Sequence, residues 1–435
     1  MKKIFLFFIC FTVVLSSICV PVGAYSPSSF EVRAQTALMA SLDTDEIIYS
    51  KAINEKRYPA SLTKIMTALI VLENTKDLDK EILTVSDYAV TSLLGTDSSV
   101  GGLQVGENLT ARQMLYYLLM ISANDGAMVI AEHYGGTVEK FVEMMNQRAA
   151  GLGMTNTHYV NPHGLHNDDH YTTAYDMWIL TKEALKYEVF KEITSATRYE
   201  MPATNLSKEK LFVTTNMLQD PSTAYYYKYA SGVKTGYTDD AGRNLISTAK
   251  YEGYSYMIIL MKSPVEDNGR RVRYEFVDSK NLYRWAFNEI EYKHIYDKTS
   301  IIGEAPVTLS LESDHVTLVP KEDLSAILPQ KADLSTLEVD IHLKTPAFKA
   351  PVKIGDELGT ADISYAGEKI KTITLVAGIS VKSSFILIIW DFLSGIFTSK
   401  PFLIFLGVIL IAAAIFVIYI IVINRKRKKR RRRRY

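Results

Sequence analysis

The stretch RYPASLTKIMTALIVLEN, Arg57–Asn74, puts a small hydroxyl residue, Ser61, and a lysine, Lys64, one helical turn apart inside an otherwise apolar run. Ser61 follows Pro59-Ala60 and is predicted to open a helix, where unpaired backbone N–H groups point at it. Lys64, at i+3, shares its face. The lysine has two readings. Its methylene stem lies along Leu62, Ile65 and Met66 while the ammonium snorkels to water, or the amine stays beside the serine as a base. Alone, an S-x-x-K spacing decides nothing, because it recurs by chance in chains of this length.

Outward from that run, strands are predicted at Ala34–Ser41 and Glu46–Lys51, joined by Asp43-Thr44-Asp45. A helix starts near Ser61, and an α-rich region follows in which Met114, Leu115, Leu118 and Leu119 have helical spacing until Ser122–Asp125 interrupts it. Val138–Leu152 reads as another amphipathic helix. Strands return at SGVKTGYT, RNLISTAK and YSYMIILMKS, and a closing helix over about Arg270–Ile290 carries Val272, Phe276, Tyr283 and Phe287 at helical spacing. Strands, helices, then strands with a closing helix predict an α+β domain over residues 25–294, an antiparallel sheet flanked by helices. Residues 295–380 change to short alternating strands with Gly and Pro turns, which predicts a separate small all-β domain.

Ser122-Ala123-Asn124 places a hydroxyl and a carboxamide together at the helix break, and Lys234-Thr235-Gly236 lies on a predicted strand leading into a turn. The order S-x-x-K, S-x-N, K-T-G resembles the penicillin-recognising serine enzymes, penicillin-binding proteins and serine β-lactamases. Within that group, YPASLTKIMTAL, ISANDGA, NPHGL followed by HYTTAYDM, and GVKTGYTDDAGRNL look like the D-alanyl-D-alanine carboxypeptidases, the low-molecular-weight penicillin-binding proteins. APVKIGDELG is similar to the β domain that follows in the same family.

The resemblance implies a β-lactamase/transpeptidase-like fold without cofactor or metal. The implied reaction removes the terminal D-alanine from peptidoglycan stem pentapeptides through an acyl-enzyme on Ser61, with β-lactams as covalent inhibitors. It implies Lys64 as the base, neutral at working pH because burial and a second cation, Lys234, depress its pKa. Ser122 would relay a proton to the leaving amine, and Asn124 would hold Lys64 and a substrate amide. Lys234 and Thr235 would receive a terminal carboxylate, and Gly236 would let substrate backbone approach. The N–H groups of Ser61 and Tyr237 would form the oxyanion hole. Two features depart from the family pattern. TTNMLQD lacks the arginine that some members carry before the K-T-G strand, for which Arg243 is a weak substitute, and the chain continues past the usual amphipathic anchor.

The two ends of the chain set its expected location. MKKIFLFFICFTVVLSSICVPVGA has two lysines, an apolar run and small residues, which predicts a secretory signal cut after Ala24. Both cysteines, Cys10 and Cys19, fall inside it, so the mature chain has no thiol for a disulfide, a metal or a nucleophile. Residues 402–423 are uncharged, and 22 helical residues span about 33 Å, enough to cross a bilayer. NRKRKKRRRRRY, residues 424–435, follows at once with ten Lys or Arg. Next to a spanning helix such a run reads as positive-inside charge that keeps the tail cytoplasmic, not as a nucleic-acid site. The formal charge of +1 therefore hides an acidic ectodomain expected on the outer side of the cell membrane. Residues 383–399, with Trp390, Phe392 and Phe397, are expected to lie in the membrane interface.

Other readings compete. His158, His163, His166 and His170 with Asp168 and Asp169 would suffice for zinc, but the segment is turn-rich and lacks a helical H-x-x-x-H pair. A Ser-His-Asp triad has no need of these histidines when Lys64 supplies the base. A serine β-lactamase of class A would need a deacylating glutamate, and Glu143 falls in a predicted helix too soon after Ser122. A non-catalytic β-lactam receptor or wall-binding protein lacks an output domain in a twelve-residue tail.

Overall fold

The computed structural model describes residues 27, 30–96, 98–266 and 269–432. The predicted signal sequence lies outside them. The described residues up to 292, with 327–332, form one compact unit, and 293–326 with 333 onward form a second.

The first unit is built on a five-stranded antiparallel sheet. Its strands are β1 (Thr36–Ser41), β2 (Ile47–Lys51), β3 (Ala230–Thr238), β4 (Gly242–Tyr251) and β5 (Tyr254–Ser263), in the order β2-β1-β5-β4-β3. Strand β1 is buried along its whole length, and its alternation sorts side chains between two cores. Leu38 and Ala40 join a cluster with the helices, whereas Ala37 and Met39 join one with Phe276, Leu282 and Trp285 of the closing helix Tyr274–Glu289. That is the predicted antiparallel sheet covered by helices.

Helix α1 (Lys64–Asn74) is not amphipathic. Every residue from Lys64 to Leu72 is buried, so it is the central helix of the helical core and not a surface helix. Around it pack α2 (Ala111–Leu119), α3 (Asn124–Gly135), α4 (Val138–Gly151) and α5 (Ala174–Ala184). A capping box closes the start of α2, where the Thr110 side chain accepts from Gln113 N–H and the Gln113 side chain accepts from Thr110 N–H. Glu143 lies within α4. Strand β3 is one edge of the sheet, and it packs against the segment Ala60–Thr63 that carries Ser61 and against the helix Glu188–Ser195.

The second unit contains a six-stranded sheet whose core includes Val316, Leu318, Leu358, Ala361, Ile363 and Leu375. Two helices follow it, Phe385–Phe397 and Lys400–Arg432. Of these, Lys400–Lys426 is long and apolar enough to cross a membrane, and none of its apolar window is buried.

Candidate active site

Ala60 sits at φ +49°, in the left-handed region, and turns the chain into a single 3-10 turn, Ala60–Thr63, before α1 begins at Lys64. The helix predicted to open near Ser61 thus starts as a 3-10 turn, and Ser61 lies one turn ahead of the α-helix that the structure forms. Three groups hold that turn. Asn244 on β4, almost wholly buried, donates through Nδ2 to the carbonyls of Tyr58 (2.9 Å) and Pro59 (3.0 Å) and accepts the Lys262 N–H at 2.8 Å. Gly236 on β3 packs so closely that a Cβ there would stand 3.1 Å from Ser61 N and 3.0 Å from the Pro59 carbonyl oxygen. Gly164, at φ +91°, fits where a Cβ would come within 1.9 Å of the Ala60 carbonyl oxygen.

Lys64 is 0% exposed, which rules out the snorkelling reading. Its Nζ stands 2.8 Å from Ser61 Oγ, 2.6 Å from Asn124 Oδ1 and 2.8 Å from the His163 carbonyl oxygen. The carboxamide and carbonyl oxygens can only accept, whereas the hydroxyl can also donate. A neutral amine that gives its two N–H groups to the first pair keeps its lone pair for the Ser61 hydroxyl. Burial pushes the Lys64 pKa well below the ordinary lysine value, the Lys234 charge adds to this, and the Asp125 charge opposes it. Lys234 is also buried, which pulls its pKa down to about 7, and it donates to the Thr235 carbonyl at 3.0 Å.

Ser122 occupies the left-handed region at φ +62°, in the break between α2 and α3, and Asn124 opens α3 with its N–H donated to the Ser99 carbonyl at 2.8 Å. Asp125 fastens the same loop, accepting from Gly101 N–H (2.8 Å) and Leu103 N–H (3.1 Å). Thr235 Oγ1 is 2.7 Å from Thr215 Oγ1. The Tyr237 ring is exposed, with its hydroxyl donated to Asp239 and the Arg243 guanidinium 5.0 Å from its centroid. The structure thus brings Ser61, Lys64 and Asn124 into contact and sets Gly236 against the Ser61 N–H. Lys234 acts on Lys64 through its charge. Ser122 lies in the turn leading to Asn124, and Tyr237 follows Gly236 on the edge strand.

The histidines have separate tasks. His170 Nδ1 accepts the Val160 N–H, so its Nε2 carries the proton toward Thr63 Oγ1, which itself donates to the Ala60 carbonyl. His163 Nδ1 accepts from Leu165 N–H while its carbonyl faces Lys64. Burial pushes both pKa values down to about 3, which keeps both rings neutral. His158 Nδ1 is 2.6 Å from the Asp169 carbonyl oxygen, and His166 stands between Asp168 and Asp240. Among the described residues no three His, Cys, Asp or Glu side chains converge on a cation-sized cluster. The parts that Asn244, the His163 carbonyl and His170 play here were not read from the sequence, where His163 and His170 stood only as candidate zinc ligands. Only Asn244, a polar residue at the start of an apolar strand, leaves a signal there.

A family model described as D-alanyl-D-alanine carboxypeptidase matches residues 23–264, and one described as penicillin-binding protein 5, C-terminal domain, matches residues 291–383. The chain is 32% identical over 342 residues to the D-alanyl-D-alanine carboxypeptidase DacF of Bacillus subtilis (strain 168), covering 77% of this chain and 82% of that protein. It is 32% identical over 256 residues to DacB2 of Mycobacterium tuberculosis, covering 58% and 82%. In fold it is similar to the crystal structure of the D-alanyl-D-alanine carboxypeptidase DacD from Francisella tularensis, with TM-score 0.66 and 24% identity over 83% of this chain and 96% of that one.

Proposed function

The chain belongs to the D-alanyl-D-alanine carboxypeptidase family, and from that premise we propose that Ser61 is the residue acylated when the enzyme removes the terminal D-alanine of a peptidoglycan stem pentapeptide. It is a serine hydrolase of the penicillin-binding class. In the reaction, Ser61 Oγ attacks the penultimate D-alanine carbonyl carbon as its proton passes to Lys64 Nζ. The oxyanion forms toward the N–H groups of Ser61 and Tyr237. As the tetrahedral centre collapses, the C–N bond breaks and the leaving D-alanine nitrogen takes a proton delivered through Ser122. Water then hydrolyses the Ser61 ester and releases the shortened peptide. Lys234 and Thr235 receive the terminal carboxylate, and Asn124 holds Lys64 and a substrate amide.

The observation that carries this reading is the fully buried Lys64 amine 2.8 Å from Ser61 Oγ, with both of its other neighbours able only to accept. The domain reading goes with it: a signal peptide over 1–24, the catalytic domain over 25–294 and a β domain over 295–380. We place residues 383–399 at the membrane interface, the helix over 402–423 across the bilayer, the tail in the cytoplasm and the catalytic domain outside.

Purified enzyme is expected to release D-alanine from a peptide ending Lys-D-Ala-D-Ala, and Ser61→Ala to abolish both release and labelling by penicillin. Release unchanged in the variant would sink the assignment. The penicillin adduct is expected to hydrolyse slowly, and rapid turnover of benzylpenicillin would make the chain a β-lactamase instead.

A further inference from the structure

TTNMLQD, residues 214–220, carries no cation, and what it presents to the catalytic strand β3 is a hydroxyl. Thr215 Oγ1 stands 2.7 Å from Thr235 Oγ1, and among the described residues neither hydroxyl has another hydrogen-bond partner. The segment is fastened to β3 on purpose-built anchors. Asn216, buried, donates through Nδ2 to the Gly232 carbonyl, two residues before Lys234, and its Oδ1 accepts the Leu218 N–H at 3.1 Å. On the other side, the Thr214 N–H is given to the Thr197 carbonyl at 3.0 Å. Thr215 lies between these anchors and is exposed, while Thr235 is half-buried.

Two hydroxyls hold two protons, and their contact uses one of them. Which partner donates decides where the other proton is. If Thr235 donates, the free proton belongs to Thr215 and lies outside the strand. If Thr215 donates, the free proton belongs to Thr235, the residue after the buried Lys234. The hydrogen bond that Thr235 then accepts polarises its own O–H and strengthens what it gives. An anion held by Lys234 and Thr235 selects this second arrangement, because only there does Thr235 have a proton to offer it.

Resting on the reaction proposed above, in which Lys234 and Thr235 receive the terminal carboxylate, we propose that Thr215 is a positioning residue for carboxylate recognition. It donates to Thr235 Oγ1, turns the Thr235 proton toward the carboxylate, and so makes the site select substrates with a free terminal carboxylate. Thr215 acts through Thr235 and not on the reacting bond. The carboxylate is held alike before and during acylation, so the contribution is to binding and falls on KM rather than on kcat.

The test uses the full-length enzyme and two substrates that differ only at their end, a peptide ending Lys-D-Ala-D-Ala and its methyl ester. Thr215→Val replaces the hydroxyl with a methyl group of similar shape at an exposed position. It is expected to raise KM for the free acid about fivefold, the size of one hydrogen bond, with kcat unchanged and no effect on the ester. Thr215→Ser keeps the hydroxyl and is expected to keep the wild-type KM, a rescue that a merely structural role would not require. The same contrast is expected in the second-order rate of acylation by benzylpenicillin and by its methyl ester. That measurement needs no release of D-alanine, so the proposal stands or falls on it even where the hydrolytic reading fails. Thr215→Val matching wild type on the free acid, an equal loss on acid and ester, or a loss in Thr215→Ser as large as in Thr215→Val would overturn it.

Discussion

At the scale of the residue, Lys64 and Lys234 divide two protonation states between two like charges. Each is buried, each depresses easily, and the function proposed for Ser61 needs the first neutral and the second charged. Lys64 is displaced well below its ordinary value because burial penalises its charge and because the Lys234 charge acts on it in the same direction. For the free enzyme, kcat/KM should rise with pH as Lys64 loses its proton and fall above about pH 7 as Lys234 loses its own. The alkaline limb should vanish for a substrate whose terminal carboxylate is esterified, since Lys234 then has no anion to hold. An alkaline limb that persists with the ester would assign it to another group. The types Ser, Lys, Asn and Lys-Thr-Gly were legible in sequence because each carries its chemistry in its side chain. The His163 carbonyl was not, because a backbone oxygen has no signature in a list of side chains. The S-x-x-K spacing alone left the burial of Lys64 open, since the same spelling occurs on a surface helix, and the expectation of a buried amine came only with the other motifs.

At the scale of the element, the fold class followed from strand alternation and helical spacing, but the order of the strands in the sheet and the start of α1 did not. The predicted helix begins near Ser61, and the structure inserts a 3-10 turn that left-handed Ala60 initiates and Gly164 and Gly236 pack against. Packing from distant strands and loops decides that turn, so local propensity could not show it. Gly236 has no positive φ of its own, and what it needs is space. In Gly236→Ala the new Cβ would press on Ser61 N at 3.1 Å and on the Pro59 carbonyl, both backbone atoms that cannot swing aside. Penicillin acylation should fall by roughly 100-fold, the cost of about an ångström of misplacement at a reacting group, while the fold persists. Stopped-flow acylation with circular dichroism on the same sample measures both, and an unchanged acylation rate would show that the turn moves freely.

At the scale of the whole molecule, the net charge of +1 is the sum of parts with different work to do. Ten of the 49 Lys and Arg lie in the last twelve residues, all 48 Asp and Glu lie before them, and a helix long and apolar enough to cross a membrane separates the two groups. Moving that basic cluster through a bilayer is far costlier than leaving it where the chain is made, so the tail is expected inside and the acidic catalytic unit outside. The preceding helix, Phe385–Phe397, exposes Phe385, Ile386, Trp390 and Phe392 and carries one acidic residue, Asp391, which pairs with Lys349. Such a surface is unsuited to water and suited to the headgroup boundary. In intact cells stripped of their wall, external protease should therefore digest the catalytic unit and leave an epitope fused after Tyr435 protected. A chain ending at Lys382 should leave the membrane fraction while still binding labelled penicillin. Protease access to the epitope from outside would reverse the topology. Retention of the shortened chain on membranes would move the anchor into the units that precede the two helices.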